Sequence, residues 1–350
     1  MFNELVKPPM LHRGDTLAAV SLSWGGPAAF PHRYHAGKKQ LEQAFGVKVV
    51  EMPHTLSSPE YLSANPRARA EDLMRAFSDP SIDGIVSTIG GDDSIRILPY
   101  VDINVIQKNS KVFMGFSDTT VSHFLCMQAG LGSFYGPSIM AGFAENGGLF
   151  PYMQDAVKHV LFSNEEIGKL PQNKEEWTVE YLDWADPELQ RQKRKRETCT
   201  GWHFLQGQGT HFGRLIGGCV EVIDWLRGTP VWPDHSHWKN AILFLETSEE
   251  APAPQAVQRM LRALASVGVL KEISAILFGR PGGQIAPGTF IQYENMLVDF
   301  VNHELGRPEL PLVAMLDFGH TDPIMVLPYG RKCVVDCDQH AIMIPENAVV

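Results

Sequence analysis

The sequence of 350 residues lacks the features that would tie a protein to a membrane or to an oxidising compartment. No apolar run approaches the roughly 18 residues that a transmembrane helix needs. The first ten residues, MFNELVKPPM, contain no apolar core of a signal peptide. The five cysteines are an odd number without paired metal-ligand spacing, which is typical of buried free thiols. We therefore predict a cytoplasmic protein without a disulfide framework or a metal centre.

Positive charge is also scarce. The formal net charge is −10, which argues against a nucleic acid or an anionic membrane as the partner. The one concentrated basic run, RQKRKR at residues 191–196, lies in a polar segment and predicts a solvated loop or helix face. Hydrophobic residues make up 44% of the chain and charged residues 20%, as in ordinary globular proteins. The length is sufficient for two domains.

A strand, a sharp turn and a helix are predicted within KVFMGFSDTT, residues 111–120. The apolar run ends at Gly115, and a helical pattern begins after Ser117 and Asp118. A serine at such a turn lies beside the unpaired N–H groups of the first helical turn, which is the arrangement of a nucleophile elbow. The other interpretation of Ser117 is a helix N-cap, because Thr119 replaces the second glycine of the elbow motif. This stretch alone leaves both interpretations open.

Strands alternate with helices through the first half. Strands are predicted at residues 15–24, 47–52, 83–89 and 112–115, with helices at 34–45 and 67–77. This alternation predicts a mostly parallel sheet with helices on both faces, in which sites gather at the carboxyl ends of strands. One such end is Gly90-Gly91, which indicates either a tight turn or a backbone N–H that binds an oxyanion. The dinucleotide fingerprint G-x-G-x-x-G is absent.

The second half resumes α/β character after a polar segment that carries tryptophans. We predict an N-terminal domain at residues 1–165, a linker or lid at 166–207, and a C-terminal α/β or β-rich domain at 208–350. Residues 213–218, GRLIGG, are predicted as a glycine-bounded turn before a helix. Glu246 and His320 each follow an apolar strand, as Ser117 does. The order serine, acid, histidine occurs in α/β-hydrolases, although triads recur in several orders.

Six stretches carry a resemblance to a known family. They are LHRGDTLAAVSLS (11–23), GGDDS (90–94), GFSDTT (115–120), GRLIGG (213–218), LETSEE (245–250) and FGHTDP (318–323). In that order they resemble the LD-carboxypeptidase family of serine peptidases, over nearly the whole chain. Two further stretches, EEWTVEYLDWADPE (175–188) and GWHFLQGQG (201–209), look closest to the microcin-C self-immunity branch of that family.

The resemblance implies an active site between two α/β halves, with Ser117 as nucleophile, Glu246 as orienting acid and His320 as general base. The oxyanion hole would consist of the backbone N–H groups of Gly91 and Asp118. These roles need a histidine that can both accept and return a proton, an acid that fixes its tautomer, and two donors aimed at the developing charge.

Two further residues are candidate substrate contacts. The family cleaves next to a terminal carboxylate or an acidic aminoacyl group, and Arg280, at a strand end, is a candidate acceptor for that charge. A structural salt bridge is the alternative for Arg280. By resemblance to the immunity branch, Trp184 would stack on the base of an aminoacyl nucleotide, and packing of the segment is its alternative.

The resemblance implies a serine hydrolase without a metal or nucleotide cofactor that cleaves an amide-type bond through an acyl-enzyme. The expected substrate is a peptidyl- or aminoacyl-nucleotide of the microcin-C kind with an acidic or carboxylate group. One alternative is LD-carboxypeptidase action on murein tetrapeptides in cell-wall recycling. Another is a non-catalytic two-lobed protein that binds a small acidic ligand. The family also implies a homodimer.

Overall fold

The computed structural model describes residues 4–350 and arranges their strands in two large sheets and one short hairpin. The first sheet has six strands in the order β14-β5-β4-β3-β1-β2. Its strands from the N-terminal half are β1 (Thr16–Val20), β2 (Lys48–Glu51), β3 (Gly84–Ser87), β4 (Val112–Gly115) and β5 (Phe134–Tyr135). These five are parallel, and β14 (Leu327–Pro328) joins antiparallel to β5. Every residue of β3 and β4 is buried, so both faces of these strands are covered.

Helices fill the connections of the first sheet. They are α1 (Gly26–Ala29), α2 (Pro31–Phe45), α3 (Pro59–Ala64), α4 (Pro66–Ser78), α5 (Ile103–Lys108), α6 (Thr120–Gln128) and α7 (Pro151–Leu161). Local sequence explains several ends: four of these helices begin with proline, and α2 ends at Gly46 in the left-handed conformation. Short 3₁₀ turns occupy Ser94–Tyr100 and Ser117–Thr119.

The second sheet has eight strands in the order β6-β16-β15-β10-β11-β12-β13-β9. Its parallel centre is β10 (Thr210–Cys219), β11 (Ile242–Glu246), β12 (Ala275–Gly279) and β13 (Leu312–Leu316). Antiparallel strands flank it: β6 (Gly168–Lys169), β9 (His203–Gln206), β15 (Lys332–Asp336) and β16 (Ala341–Ile344). The accompanying helices are α8 (Val220–Leu226), α9 (His235–Trp238), α10 (Pro254–Ser266), α11 (Val269–Glu272) and α12 (Phe290–Asp299).

The predicted fold class is confirmed: a parallel-sheet α/β domain is followed by a second domain that also contains a sheet. Two details differ from the expectation. Residues 166–207 supply both edge strands of the second sheet. They also supply β7 (Glu176–Trp177) and β8 (Glu197–Thr198), which pair with each other, so the segment is partly built into the second domain. The C-terminal half returns β14 to the first sheet before β15 and β16 rejoin the second, so the chain crosses between the domains three times.

The prediction of a turn at residues 213–218 is wrong, because these residues form the second half of β10. The glycines there permit close strand packing. A Cβ atom on Gly217 would lie 1.7 Å from the carbonyl oxygen of Phe244 on the neighbouring strand. Within residues 4–350, no helix combines the length and apolar character required to cross a bilayer.

Candidate active site

Ser117 lies at the sharp turn between β4 and α6. Its backbone φ is 64°, in the left-handed region that residues other than glycine seldom adopt. Such strain is characteristic of a serine held on a strand-to-helix turn. A Cβ atom on Gly90 would lie 2.8 Å from Ser117 Oγ, so the neighbouring backbone approaches the hydroxyl more closely than a larger residue would allow. Ser117 is buried, with 5% of its surface exposed, and it lines a cleft.

Three residues from distant parts of the chain meet at this hydroxyl. His320 Nε2 lies 3.0 Å from Ser117 Oγ, and His320 Nδ1 lies 2.7 Å from Glu246 Oε2. Glu246 is the last residue of β11, and His320 follows β13, so both sit at the carboxyl edge of the second sheet. The first sheet contributes the serine from the equivalent edge. The parallel strands of the two sheets therefore bring a hydroxyl, an imidazole and a carboxylate together in one hydrogen-bonded series.

Tyr135 ties the serine turn to the acid, and sequence analysis missed it. The backbone N–H of Ser117 donates to Tyr135 Oη at 3.1 Å, and the Tyr135 hydroxyl donates to Glu246 Oε1. Burial, together with the charge of Glu246, raises the pKa of Tyr135 well above its ordinary value. The side chain therefore remains a neutral phenol, which can accept one hydrogen bond and donate the other. Nothing in its short strand, FY, distinguishes it from other buried aromatic residues.

The predicted oxyanion donors belong to two adjoining turns. Gly91 has a φ of 142°, and a Cβ atom there would lie 2.4 Å from Ser23 Oγ. The fully buried Asp118 carboxylate accepts the N–H groups of Asp93 at 3.1 Å and Ser94 at 2.8 Å. Asp118 therefore anchors the glycine turn to the serine turn through its side chain. Its own nitrogen lies 3.3 Å from the Cβ position of Gly90.

His320 is flanked by a second carboxylate that sequence analysis did not single out. Glu249 Oε2 lies 2.9 Å from His320 Nε2, the atom that also contacts Ser117. Burial alone would lower the pKa of His320, but the charge of Glu246 and the bonds to both carboxylates raise it well above its ordinary value. Burial alone would raise the pKa of Glu249, but His320 outweighs this and lowers it to about 2. An imidazolium between two carboxylates results.

A cleft of about 390 Å³ opens over Ser117 and His320. Trp184 forms part of its wall, with Phe30 against its edge at 5.9 Å between ring centroids. The guanidinium of Arg33 lies 4.0 Å from the centre of the Trp184 ring and also lines an adjoining cavity. Trp184 is thus half-buried and in the cleft, whereas the other tryptophans of its segment, Trp177 and Trp202, are buried.

Arg194 corrects the expectation of a solvated basic run. It lies largely buried and pairs with the carboxylates of Glu145 and Asp322, at 2.6 Å to Asp322. Glu145 comes from the first domain, and Asp322 lies two residues after His320. Burial and the negative charge of Asp322 raise the pKa of Glu145, while the positive charge of Arg194 lowers it. The net result is a pKa of about 7. The arginine is buried because two carboxylates from distant segments compensate its charge.

Arg280 lies outside the cleft. Its side chain is 4% exposed, and it pairs with Asp317 at 2.9 Å while covering the Trp177 ring at 4.6 Å. Trp202 Nε1 donates to the other oxygen of Asp317 at 2.8 Å. This arrangement fits a structural salt bridge, the alternative to a substrate contact for Arg280. Among residues 4–350, no group of three or more metal-ligating side chains is placed to hold an ion.

Two family models match the chain. Residues 17–136 match the LD-carboxypeptidase N-terminal domain, and residues 212–335 match the LD-carboxypeptidase C-terminal domain. The matched regions contain all three members of the hydrogen-bonded series. They leave out residues 137–211, where Trp184 and Arg194 lie.

Individual proteins are similar along almost their entire length. The microcin C7 self-immunity protein MccF of Escherichia coli is 27% identical, with 95% of this chain and 94% of that protein covered. A crystal structure of an MccF-like protein from Streptococcus pneumoniae in complex with AMP is 32% identical, with a TM-score of 0.84 and coverage of 94% and 98%. A structure of MccF in complex with aspartyl sulfamoyl adenosine is 26% identical, with a TM-score of 0.85 and coverage of 99% and 100%.

Proposed function

We propose, on the premise that this chain belongs to the LD-carboxypeptidase family, that Ser117, Glu246 and His320 are its catalytic triad. Membership of the family makes the chain a serine hydrolase of the carboxypeptidase kind. The observation that carries the proposal is the series of hydrogen bonds from Ser117 Oγ through the His320 ring to Glu246. The sequence motif, the backbone strain at the serine and the family role all support the same residue as nucleophile.

In the first half-reaction, Ser117 Oγ attacks the scissile carbonyl carbon while neutral His320 takes the hydroxyl proton at Nε2. The carbonyl oxygen becomes an oxyanion, and the N–H groups of Gly91 and Asp118 are its proposed donors. His320 then returns its Nε2 proton to the leaving nitrogen as the C–N bond breaks. The acyl group remains on Ser117 as an ester.

In the second half-reaction, water takes the place of the leaving group. His320 Nε2 removes a proton from this water, whose oxygen attacks the ester, and the proton then passes to Ser117 Oγ. Throughout, Glu246 accepts the Nδ1 hydrogen of His320, which keeps Nε2 free to exchange protons and stabilises the imidazolium. Tyr135 holds Glu246 from its other oxygen.

The proposed substrate is a peptidyl- or aminoacyl-nucleotide of the microcin-C kind, cleaved at the amide-type bond beside its acyl group. Similarity to MccF, which has been solved with aspartyl sulfamoyl adenosine, supports this class. The position of Trp184 supports it too, because its indole lies in the cleft wall, where it would stack on the base. Arg33, whose guanidinium lies over the indole, is proposed to pair with an acidic group of the substrate.

A side-by-side assay tests this proposal. Purified protein is incubated with aspartyl sulfamoyl adenosine and, separately, with an LD-linked murein tetrapeptide, and products are quantified by mass spectrometry. We expect release of aspartate and sulfamoyl adenosine, no release in Ser117→Ala, and a raised KM in Trp184→Ala. Cleavage of the tetrapeptide alone would replace the proposed substrate by a murein peptide while leaving the triad in place.

A serine-directed fluorophosphonate separates the hydrolase from a non-catalytic binding protein. We expect covalent labelling of the wild type and none of Ser117→Ala. Tight binding of the nucleotide probe without labelling would favour the binding protein.

The homodimer and the cytoplasmic location expected from the sequence remain predictions. Sedimentation equilibrium of the full chain measures the oligomeric state.

A further inference from the structure

Glu249 contacts His320 Nε2, the nitrogen that the proposed catalysis requires. Its side chain is 67% exposed, yet Oε2 lies 2.9 Å from His320 Nε2. The same nitrogen lies 3.0 Å from Ser117 Oγ, whose proton it must accept. A protonated Nε2 has one hydrogen to donate and no lone pair, so it cannot serve Glu249 as a donor and Ser117 as an acceptor at once.

The surroundings of His320 also favour a protonated ring that is held by Glu249. Glu246 holds Nδ1 at 2.7 Å, so the ring lies between two carboxylates, and the pKa of His320 is accordingly raised. The other charged groups of the adjoining cavity are the compensated Arg194 with Asp322, the cation Arg33, and Glu180. With Glu249 in this position the ring is an imidazolium, which is not a base.

We propose that Glu249 is a specificity-determining residue that receives the free α-ammonium group of an aminoacyl substrate and thereby releases His320 to act as base. This inference rests on the proposed function, and it adds the chemical class of the acyl group. A substrate with a blocked amine leaves Glu249 on the imidazole. An ammonium beside the scissile carbonyl binds the Glu249 carboxylate and so draws it away from His320.

The distances fit such a substrate. From the two contacts of Nε2, Glu249 Oε2 and Ser117 Oγ lie at most about 5.9 Å apart. An α-nitrogen is about 2.5 Å from its own carbonyl carbon, as standard bond lengths and angles require. A carbonyl carbon poised for attack lies about 3 to 3.5 Å from the nucleophile. These lengths allow the α-ammonium of a bound aminoacyl group to reach hydrogen-bond distance of the carboxylate when it lies on the Glu249 side of the scissile carbonyl.

The proton balance of this step is simple. The ammonium donates to Glu249 and is not consumed. His320 loses the favourable charge of Glu249, and its Nε2 proton leaves to solvent. The neutral imidazole then faces Ser117 Oγ and can take its proton. No bond is made or broken until Ser117 attacks.

The first experiment measures the resting base without any ammonium. A small neutral fluorophosphonate is reacted with the wild type, Glu249→Gln and the matched control Glu250→Gln at pH 7. Because each unit of pKa changes the fraction of neutral imidazole about tenfold, we expect Glu249→Gln to label about tenfold faster. We expect Glu250→Gln to label at the wild-type rate, since Glu250 does not line the cleft. Equal rates for all three proteins would overturn the proposal.

Ser117→Ala separates a failure of this inference from a failure of the proposed function. Labelling that persists in Ser117→Ala would overturn the proposed nucleophile. Labelling that is lost there, with no acceleration in Glu249→Gln, would overturn only the role of Glu249. Circular dichroism confirms that the exposed substitution leaves the fold unchanged, and Glu249→Ala repeats the test with the side chain removed.

The second experiment measures recognition of the amine. Calorimetry with Ser117→Ala compares aspartyl sulfamoyl adenosine with its N-acetyl form. We expect the free amine to bind roughly ten- to a hundredfold more tightly, as a charge-assisted hydrogen bond implies. In Ser117→Ala with Glu249→Gln, we expect the two affinities to converge. A free-amine compound that binds Ser117→Ala no better than its N-acetyl form, or a preference that survives Glu249→Gln, would overturn the proposal.

Discussion

Replacing Tyr135 by phenylalanine removes a single hydroxyl that connects Ser117 and Glu246, the proposed nucleophile and acid. In the native protein this oxygen accepts the N–H of Ser117 and donates to Glu246 Oε1. The ring itself is fully buried among aromatic side chains and keeps its packing in the variant. The substitution therefore isolates the two hydrogen bonds from the volume of the side chain.

The structure sets the expected size of the effect. The change leaves one buried N–H and one carboxylate oxygen without this partner, which costs about 3 kcal/mol of unfolding free energy. Catalysis should fall less than on loss of the acid itself, because Glu246 Oε2 still holds His320 at 2.7 Å. We expect kcat to fall about ten- to a hundredfold, as the freed carboxylate lets the imidazole tilt away from Ser117.

Tyr329→Phe is the matched control. Tyr329 is equally buried and packs against the same aromatic cluster, but its hydroxyl donates to the carbonyl of Gly217 and does not contact the triad. Urea unfolding and steady-state hydrolysis of aspartyl sulfamoyl adenosine are measured for both variants. We expect both to lose stability and only Tyr135→Phe to lose turnover. An unchanged kcat in Tyr135→Phe would refute a positioning role for its hydroxyl.

Three further outcomes follow from the site. Ser117→Ala should lower turnover about 10⁴- to 10⁶-fold with an unchanged circular dichroism spectrum, and a loss below about tenfold contradicts the assignment. Arg194→Met should destabilise the protein by about 3 to 5 kcal/mol in urea unfolding, because it leaves Glu145 and Asp322 buried together without their cation. Because the pKa of Glu145 is raised from 4.5 to about 7, the folded protein retains a proton that the unfolded chain releases between those values. The free energy of unfolding should therefore fall as pH rises across that window, and Glu145→Gln should flatten this slope.

The residues of the proposed triad could be singled out because each follows the carboxyl end of a buried strand, and the family resemblance supplied their roles. Ser117, Glu246 and His320 each follow an apolar run, and the structure has strands at all three runs. The strand before Ser117 has the predicted bounds, residues 112–115. Fully buried strands give a strong local signal, and the polar residue that ends each one stands out against it.

The residues that the sequence did not reveal depend on contacts between the sheets. Tyr135 lies in a two-residue strand with no periodic pattern, and its hydroxyl acquires partners only when Glu246 docks from the other sheet. Glu249 belongs to a charged loop that resembles any solvated loop until the position of His320 is known. Arg194 was assigned to solvent because a run of basic residues carries no information about carboxylates that lie 49 and 128 residues away.

The segment that forms the cleft wall is fastened to the loop that carries the base. The backbone of Thr178 exchanges hydrogen bonds with that of Asp322, at 2.7 and 2.9 Å, and the Asp322 carboxylate accepts from Arg194 at 2.6 Å. Asp322 is two residues from His320, so the stretch that holds Trp184 is attached at both of its ends to one side of the active site. Recognition of the substrate and placement of the imidazole therefore share a framework. Substitutions within residues 179–193 are therefore expected to alter the contacts of the cleft wall with a ligand, while Thr178 and Arg194 keep the loop of His320 in place.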